Sequence, residues 1–268
     1  MATVHSVAQV GFGTGTNELY DRIRPRYQPW ALEHIKNSLP SSGPYNIVEL
    51  GSGTGIFTRA ILADPAWSSS IKELKAVEPS EGMRSVFEKT VHDERAKTFD
   101  GTFDATGVED GWADLIVVAQ AFHWCPDHVL ATGKDFQFDT EIEDNLLSRD
   151  GARWAAQVRD LIEQHEKGTP QFRLGLWRKF FTTPEYDAAF AKQEEKEWSY
   201  NLEATEQIVV DRASSKSYIT VLPPKEKAEV QAGIREIVER GDDLEWVDKE
   251  KGLFKYPYKT LVVIAKQK

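Results

Sequence analysis

Residues 45–58 read YNIVELGSGTGIFT. Ile47-Val48-Glu49-Leu50 is a short apolar run, with the length and composition of a buried β-strand. Gly51-Ser52-Gly53-Thr54-Gly55 breaks it, and Phe57, Ala60 and Ile61 then recur at helical spacing. Strand, glycine loop and helix form the unit that binds nucleotide-like cofactors. Glycine lets the backbone turn sharply and lets a ligand come close, and the free N–H groups of the helix start attract an anion. The dinucleotide fingerprint is G-x-G-x-x-G. Here the third glycine falls one residue early, at Gly55, and Ile56 stands where that fingerprint has glycine. The bland alternative is a strand–turn–helix whose glycines serve packing alone.

Composition bounds the rest. A chain of 268 residues holds one large α/β domain, or one domain with an elaboration. With 40% hydrophobic residues, eight Trp and thirteen Phe, it can bury a sizeable core. The net charge of −10 argues against nucleic acid as the main partner, because phosphate binding needs a basic face. No apolar run has membrane-spanning length, and MATVHSVAQV does not read as a signal peptide. A single cysteine, Cys125, excludes an internal disulfide framework and fits the reducing cytoplasm. No cluster has metal-ligand spacing, so no structural metal is expected. The expectation is a cytoplasmic protein, monomer or weak homodimer, acting on a small molecule.

Outward from the central unit, a second glycine run, Gly11-Phe12-Gly13-Thr14-Gly15, follows no strong strand and reads as part of a mobile N-terminal segment. Tyr20–Tyr27 reads as a charged helix ending at Pro25, and Trp30, Leu32, Ile35 and Leu39 as a helix packing on a sheet. Ile71–Val77 is the second strand and ends at Glu78-Pro79-Ser80. An acid in that place, 27 residues after Gly51, can accept both hydroxyls of a ribose. Met83, Val86 and Phe87 give the next helix its apolar face. Ala96–Phe99 is a weak third strand and Leu115–Ala119 a strong fourth, leading into Gln120-Ala121-Phe122-His123-Trp124. A lone histidine beside aromatic residues is more often packed than catalytic, but a neutral imidazole at a strand end can also take a proton. Tyr256–Ala265 reads as a buried terminal strand, and residues from 168 onward as mostly helical.

Glu49 to Gly55, E-x-G-x-G-x-G, resembles the first motif of the class I S-adenosylmethionine (SAM) methyltransferases. Tyr20-Asp21-Arg22-Ile23-Arg24-Pro25-Arg26-Tyr27 is similar to the YDxxRPxYP stretch that opens many small-molecule members, the trans-aconitate and cantharidin-type fungal enzymes among them. AQAFHW at 119–124 is similar to the family's fourth strand end, and Arg212 to Tyr218 to its RxxSxSY stretch. The resemblance implies a doubly wound, mostly parallel α/β sheet with an antiparallel terminal strand and a helical cap. It implies SAM as cofactor and S-adenosylhomocysteine (SAH) as product. The donor would lie against Tyr20 and Arg24 of a flap, then Glu49, Gly51, Ser52, Gly53, Thr54, Gly55, Phe57 and Thr58. Glu78, Pro79, Ser80 and Met83 would follow on the ribose side. Thr102 and Phe103 would hold the adenine, and Gln120, Ala121 and Phe122 would complete the site. His123 and Tyr20 are the catalytic candidates, and Trp124 and Trp177 the candidates for contact with a small acceptor. O-methylation of a carboxyl or hydroxyl group is the implied reaction. In-line attack on a sulfonium methyl needs no protein nucleophile, only proximity and orientation.

The implied domain plan is a flap and helix over 1–40, a SAM-binding core over 41–150, a cap over 151–240, and sheet-completing strands over 241–268. The pattern departs from the family at 129–149. VLATGK is a poor echo of the expected VLKPGG turn, and FQFDTEIEDNLLSRD is acidic and only loosely alternating. A strand buried on both faces is normally apolar throughout, and forcing 136–142 into the sheet would bury Asp139 or Glu141. The expectation is therefore a shortened helix, a degenerate fifth strand outside the sheet, intact cofactor binding and impaired transfer. Two rivals stay open: a SAM-binding relic without turnover, and a nicotinamide oxidoreductase, against which Ile56 argues.

Overall fold

In the computed structural model, residues 6–12, 16–39, 43–125, 138–143 and 152–268 are described. Their strands are β1 (Tyr45–Leu50), β2 (Ile71–Val77), β3 (Ala96–Phe99), β4 (Leu115–Ala119), β5 (Phe138–Glu143), β6 (Glu194–Ala204), β7 (Trp246–Asp248) and β8 (Leu253–Lys266). They form one sheet in the order β3-β2-β1-β4-β5-β8-β6, with β7 paired to β8. β1 to β5 run parallel, while β8 lies antiparallel between β5 and β6. This is the doubly wound sheet with an antiparallel terminal strand that the sequence implies.

Burial on both faces explains the apolar runs. All five residues of β4 are buried, as are five of the six in β1. Successive side chains of a strand point to opposite faces. Ile47 accordingly packs with Leu32, Ile35, Phe57, Ile61 and Trp67, whereas Val48 and Leu50 pack with Phe172, Trp177, Phe180 and Tyr186. β8 joins two cores. Its end, Val262 to Ala265, is sheet interior, and Phe254, Tyr256 and Tyr258 anchor a helical layer built on Trp154, Val158, Val209 and Ile234. No helix among the described residues is long and apolar enough to cross a membrane.

Three expectations are corrected. The fifth strand is in the sheet: Ile116 to Ala119 pair with Asp139 to Ile142, and Phe138 to Glu143 pair with Leu261 to Lys266. Without β5, the facing edges of β4 and the 14-residue β8 would leave backbone N–H and C=O groups without partners, and that requirement outweighs the acidic composition. The shortened helix and the VLATGK turn expected at 126–137 lie outside the described residues. The region after residue 168 is not simply helical, because β6 runs for 11 residues. Only its alternate residues Trp198, Tyr200, Leu202 and Ala204 turn inward, and charged and polar residues fill the rest, as suits an edge strand. Finally, the N-terminal segment expected to be mobile contains a helix, Ser6–Gly11, packed against the helix Ser217–Thr220. A side chain at Gly11 would come within 3.0 Å of Ser217, so glycine permits that approach.

Candidate active site

The C-terminal ends of β1, β2 and β4 and the loop after β3 open into one cavity. This is where open α/β sheets bind ligands. Glycine is required twice in its floor. Gly51 has φ +67°, and a Cβ there would lie 2.5 Å from the Ala121 Cβ. Gly53 has φ +56° and faces open space, with no protein atom within 4 Å of a built Cβ. The Gly53 N–H donates to Glu78 Oε2 at 2.9 Å and the Ser80 N–H to Glu78 Oε1 at 2.9 Å, so the glycine loop and the end of β2 share one carboxylate. Gln120 is held at φ 58°, a left-handed conformation unusual for a non-glycine residue and typical of constrained sites.

Three acids line this cavity: Glu49 and Glu78 are buried, and Asp104 is exposed. Burial pushes the Glu49 carboxyl up to about 8, and the charge of Glu78 adds to the shift. The hydrogen bond from Thr58 Oγ1 and the charge of Arg59 oppose it. Burial also raises Glu78, against the pull of the Ser80 and Gly53 N–H groups. Burial and mutual repulsion hold these two carboxyls back from ionising, and a cation bound beside them would favour their charged forms. The hydroxyls of Ser52 and Thr54 are buried without partners, although both residues line the cavity.

The helix Asn17–Ile23 and the segment after it bring Tyr20, Arg24 and Tyr27 to the cavity wall. Arg59 ties this helix down: it pairs with Asp21 and donates to the Thr54 carbonyl at 2.7 Å and to Thr90 Oγ1. Phe12 completes the wall. Its carbonyl accepts from Ser80 Oγ at 2.6 Å, and its ring meets Tyr20 and Trp124 edge-on at 5.8 and 6.0 Å.

A second cavity shares Phe12, Tyr20, Arg24, Gln120 and Trp124 with the first. Its far side is polar, with His123, Arg159, Glu163, Glu166, Arg173, Lys216 and Tyr218. Arg173 pairs with both Glu163 and Glu166, and Arg159 with Glu163. Burial, reinforced by the charges of Lys216 and Arg24, lowers the His123 imidazole to about 3, so it is neutral at ordinary pH.

Most of the expected residues converge. Tyr20, Arg24, Glu49, Gly51, Ser52, Gly53, Thr54, Phe57, Glu78, Pro79, Met83, Thr102, Phe103, Gln120 and Ala121 line the first cavity, and Trp124 lines both. Gly55, Thr58, Ser80 and Phe122 stand behind the wall. A Cβ at Gly55 would strike Phe87, Thr58 holds Glu49, Ser80 holds Phe12, and Phe122 packs edge-on against Phe180. Trp177 is a correction. It lines neither cavity, is 1% exposed, stacks on Phe172 and donates its indole N–H to the Phe172 carbonyl at 2.9 Å. Among the lining residues that sequence reasoning missed are Ala8, Phe12, Tyr27 and Asp104. Tyr27 had a signal, as the last aromatic of the charged stretch. Phe12 had none, because nothing in a glycine run announces a wall residue.

A model of the methyltransferase domain matches residues 48–134. Among solved structures, one described as a type II methyltransferase from Anaeromyxobacter dehalogenans aligns with a TM-score of 0.57 at 13% identity, covering 91% of this chain and 97% of that one. The fold is that of a class I methyltransferase. A methyltransferase from an antibiotic biosynthesis pathway of Anabaena variabilis shares this fold with the same TM-score, at 14% identity over 90% of this chain and 98% of its own. An uncharacterised methyltransferase-like protein of Schizosaccharomyces pombe is 27% identical over 226 residues, 81% of this chain and 82% of that protein. An uncharacterised methyltransferase of Mycobacterium tuberculosis is 24% identical over 238 residues, 85% of this chain and 86% of its own.

Proposed function

We propose that the chain transfers the methyl group of SAM to an oxygen of a small acceptor, a carboxylate in preference to a hydroxyl. The observation that carries the reading is the convergence of Glu49, the glycine loop, Glu78, Thr102, Phe103 and Gln120 on one cavity at the sheet's C-terminal edge. The residues fit the cofactor. The open space at Gly53 admits a ligand against the backbone, the unpartnered Ser52 and Thr54 hydroxyls offer hydrogen bonds, and the buried acids suit an ammonium and a ribose. When bound, SAM supplies an electrophilic methyl on a sulfonium and leaves as the neutral thioether SAH.

The chain's own contribution is placement. The shared wall of Phe12, Tyr20, Gln120 and Trp124 sets the two cavities side by side, which supports short, oriented transfer between them. A hydroxyl acceptor must lose a proton, and an imidazole held near 3 is a poor base for it. A carboxylate is already ionised at neutral pH and needs no base. Arg24, in the wall of the second cavity and without an ion pair among the described residues, favours the same choice. The place of β5 in the sheet supports turnover over a decayed relic.

The test is a thermal-shift comparison of SAM, SAH and NAD, followed by a transfer assay with labelled SAM over a panel of carboxylic acids and alcohols. Stabilisation by SAH and label in base-labile methyl esters is the expected result. Stabilisation by NAD without SAH would overturn the donor assignment, and label confined to ethers would overturn the acceptor class.

A further inference from the structure

Arg24 and Arg212 are the two arginines counted among the buried residues, at 8% and 6% exposed. Neither makes an ion pair among the described residues. Arg24 donates from Nη2 to the Ser215 carbonyl at 3.1 Å and lies over the Tyr20 ring, 4.5 Å from its centroid. Arg212 lies over the Tyr258 ring at 5.4 Å. Those contacts leave Nε of Arg24, and Nε and Nη1 of Arg212, buried with no hydrogen-bond partner.

The two charges also feel each other. Arg24 grips the carbonyl that closes the helix Glu206–Ser214, and Arg212 sits in the last turn of that helix. Burial pushes the Arg212 guanidinium toward losing its proton, and the Arg24 charge pushes it the same way. A helix C-terminus and an aromatic face attract a cation, but neither replaces an anion for two guanidiniums removed from water. One of the pair is addressed to a ligand: Arg24 lines both cavities, while Arg212 lines neither.

We propose that Arg24, its field reinforced by Arg212, seats a carboxylate of a bound ligand at the partition between the two cavities. A guanidinium presents a planar fork that matches a carboxylate, and the Nε of Arg24 is unused. Arg212 is a positioning residue: it touches no ligand and raises the local potential. The carboxylate has two sources, the amino-acid end of the donor or a non-reacting group of the acceptor. The donor source rests on the methyltransferase reading, and the seat itself does not.

The experiment uses the full chain and three probes. Citrate, against sodium chloride at matched ionic strength, reports the seat by thermal shift. SAH and 5′-methylthioadenosine, which lacks the amino-acid end, report the source by calorimetry. Citrate is expected to raise the wild-type Tm by about 2 °C or more, and Arg24→Gln and Arg212→Met to lose that rise. Arg212→Met alone is expected to melt higher than wild type without ligand, because an uncompensated buried charge is gone. Arg212→Lys keeps the charge and is expected to keep the citrate response, which a purely packing role would not explain. About a tenfold loss of SAH affinity in Arg24→Gln, with methylthioadenosine unchanged, assigns the carboxylate to the donor. Unchanged SAH affinity together with a lost citrate response assigns it to the acceptor. An equal citrate response in wild type, Arg24→Gln and Arg212→Met, with SAH affinity unchanged, would overturn the proposal. Failure of both SAH and methylthioadenosine to bind the wild type would sink the donor reading and leave the citrate arm to decide the seat.

Discussion

Arg59, on the helix that follows the glycine loop, is ion-paired with Asp21, 38 residues earlier in the chain. The same guanidinium donates to the Thr54 carbonyl inside that loop. One side chain therefore fixes both the floor of the first cavity and the helix that carries Tyr20 above it. Side-chain exposures of 24% and 16% keep the pair partly out of water. A hydrogen bond between charged groups typically contributes about 1.5 kcal/mol or more, so Asp21→Asn is expected to weaken SAH binding about tenfold. Calorimetry on Asp21→Asn, Arg59→Gln and the double variant checks this. Additive losses, with no coupling between the two sites, would show that the pair does not act as a unit.

On the proposed reading, Glu49 is expected to make SAH binding depend on pH. In the unfolded chain its carboxyl ionises near 4.5, whereas burial holds it protonated up to about 8 in the folded protein. Between those values the folded state binds more protons than the unfolded one, so this group's contribution to stability falls as pH rises through that window. A donor ammonium beside Glu49 reverses the preference and expels the proton. SAH affinity is expected to rise with pH toward 8, with proton release visible as a dependence of the calorimetric heat on buffer. Glu49→Gln should flatten both profiles and melt higher than wild type at pH 8. A pH-independent affinity in the wild type would remove Glu49 from contact with the ammonium.

Glu78 already accepts one backbone N–H on each oxygen, and each oxygen keeps a lone pair for a ribose hydroxyl. Glu78→Ala removes both roles. The expected loss is about 1.5–3 kcal/mol, or roughly 10- to 150-fold in SAH affinity. A loss below about threefold would mean that the carboxylate only braces the glycine loop.

Gly53 is the place to block the site without touching the core. A Cβ there meets no atom beyond its chain neighbours within 4 Å, so in the proposed reading Gly53→Val adds two methyl groups where the ligand would lie. The positive φ adds strain of about 1–2 kcal/mol. The variant is expected to fold with a modestly lower Tm and to bind SAH too weakly to measure. Wild-type affinity in a folded Gly53→Val would place the donor elsewhere.

The donor side was legible because its signals are local. Glu49 to Gly55 needs a fixed spacing and positive φ values, and Glu78 follows a strand whose pattern is plain. The misreadings share a different origin. β5 is held by backbone pairing on both sides, and side-chain composition does not report that demand. β6 carries charges because only one of its faces is covered, which makes an edge strand look like a helix or loop. Phe12 becomes a wall only when residues near 217–220 fold back against the N-terminal helix, about 200 positions away. Trp177 looked like a ligand contact because large aromatics serve cores and pockets equally, and only packing against Phe172 tells them apart.

Phe12, Tyr20, Arg24, Gln120 and Trp124 have one face toward each cavity. A shared partition is also a thermodynamic link. Whatever repositions these side chains on one side changes the shape offered on the other, and the change in affinity must be equal in both directions. Tight seating of a correct acceptor would then strengthen the binding of the donor, and an acceptor that leaves the partition askew would weaken it. On the proposed reading, discrimination between acceptors would then show partly in how tightly the methyl donor is held.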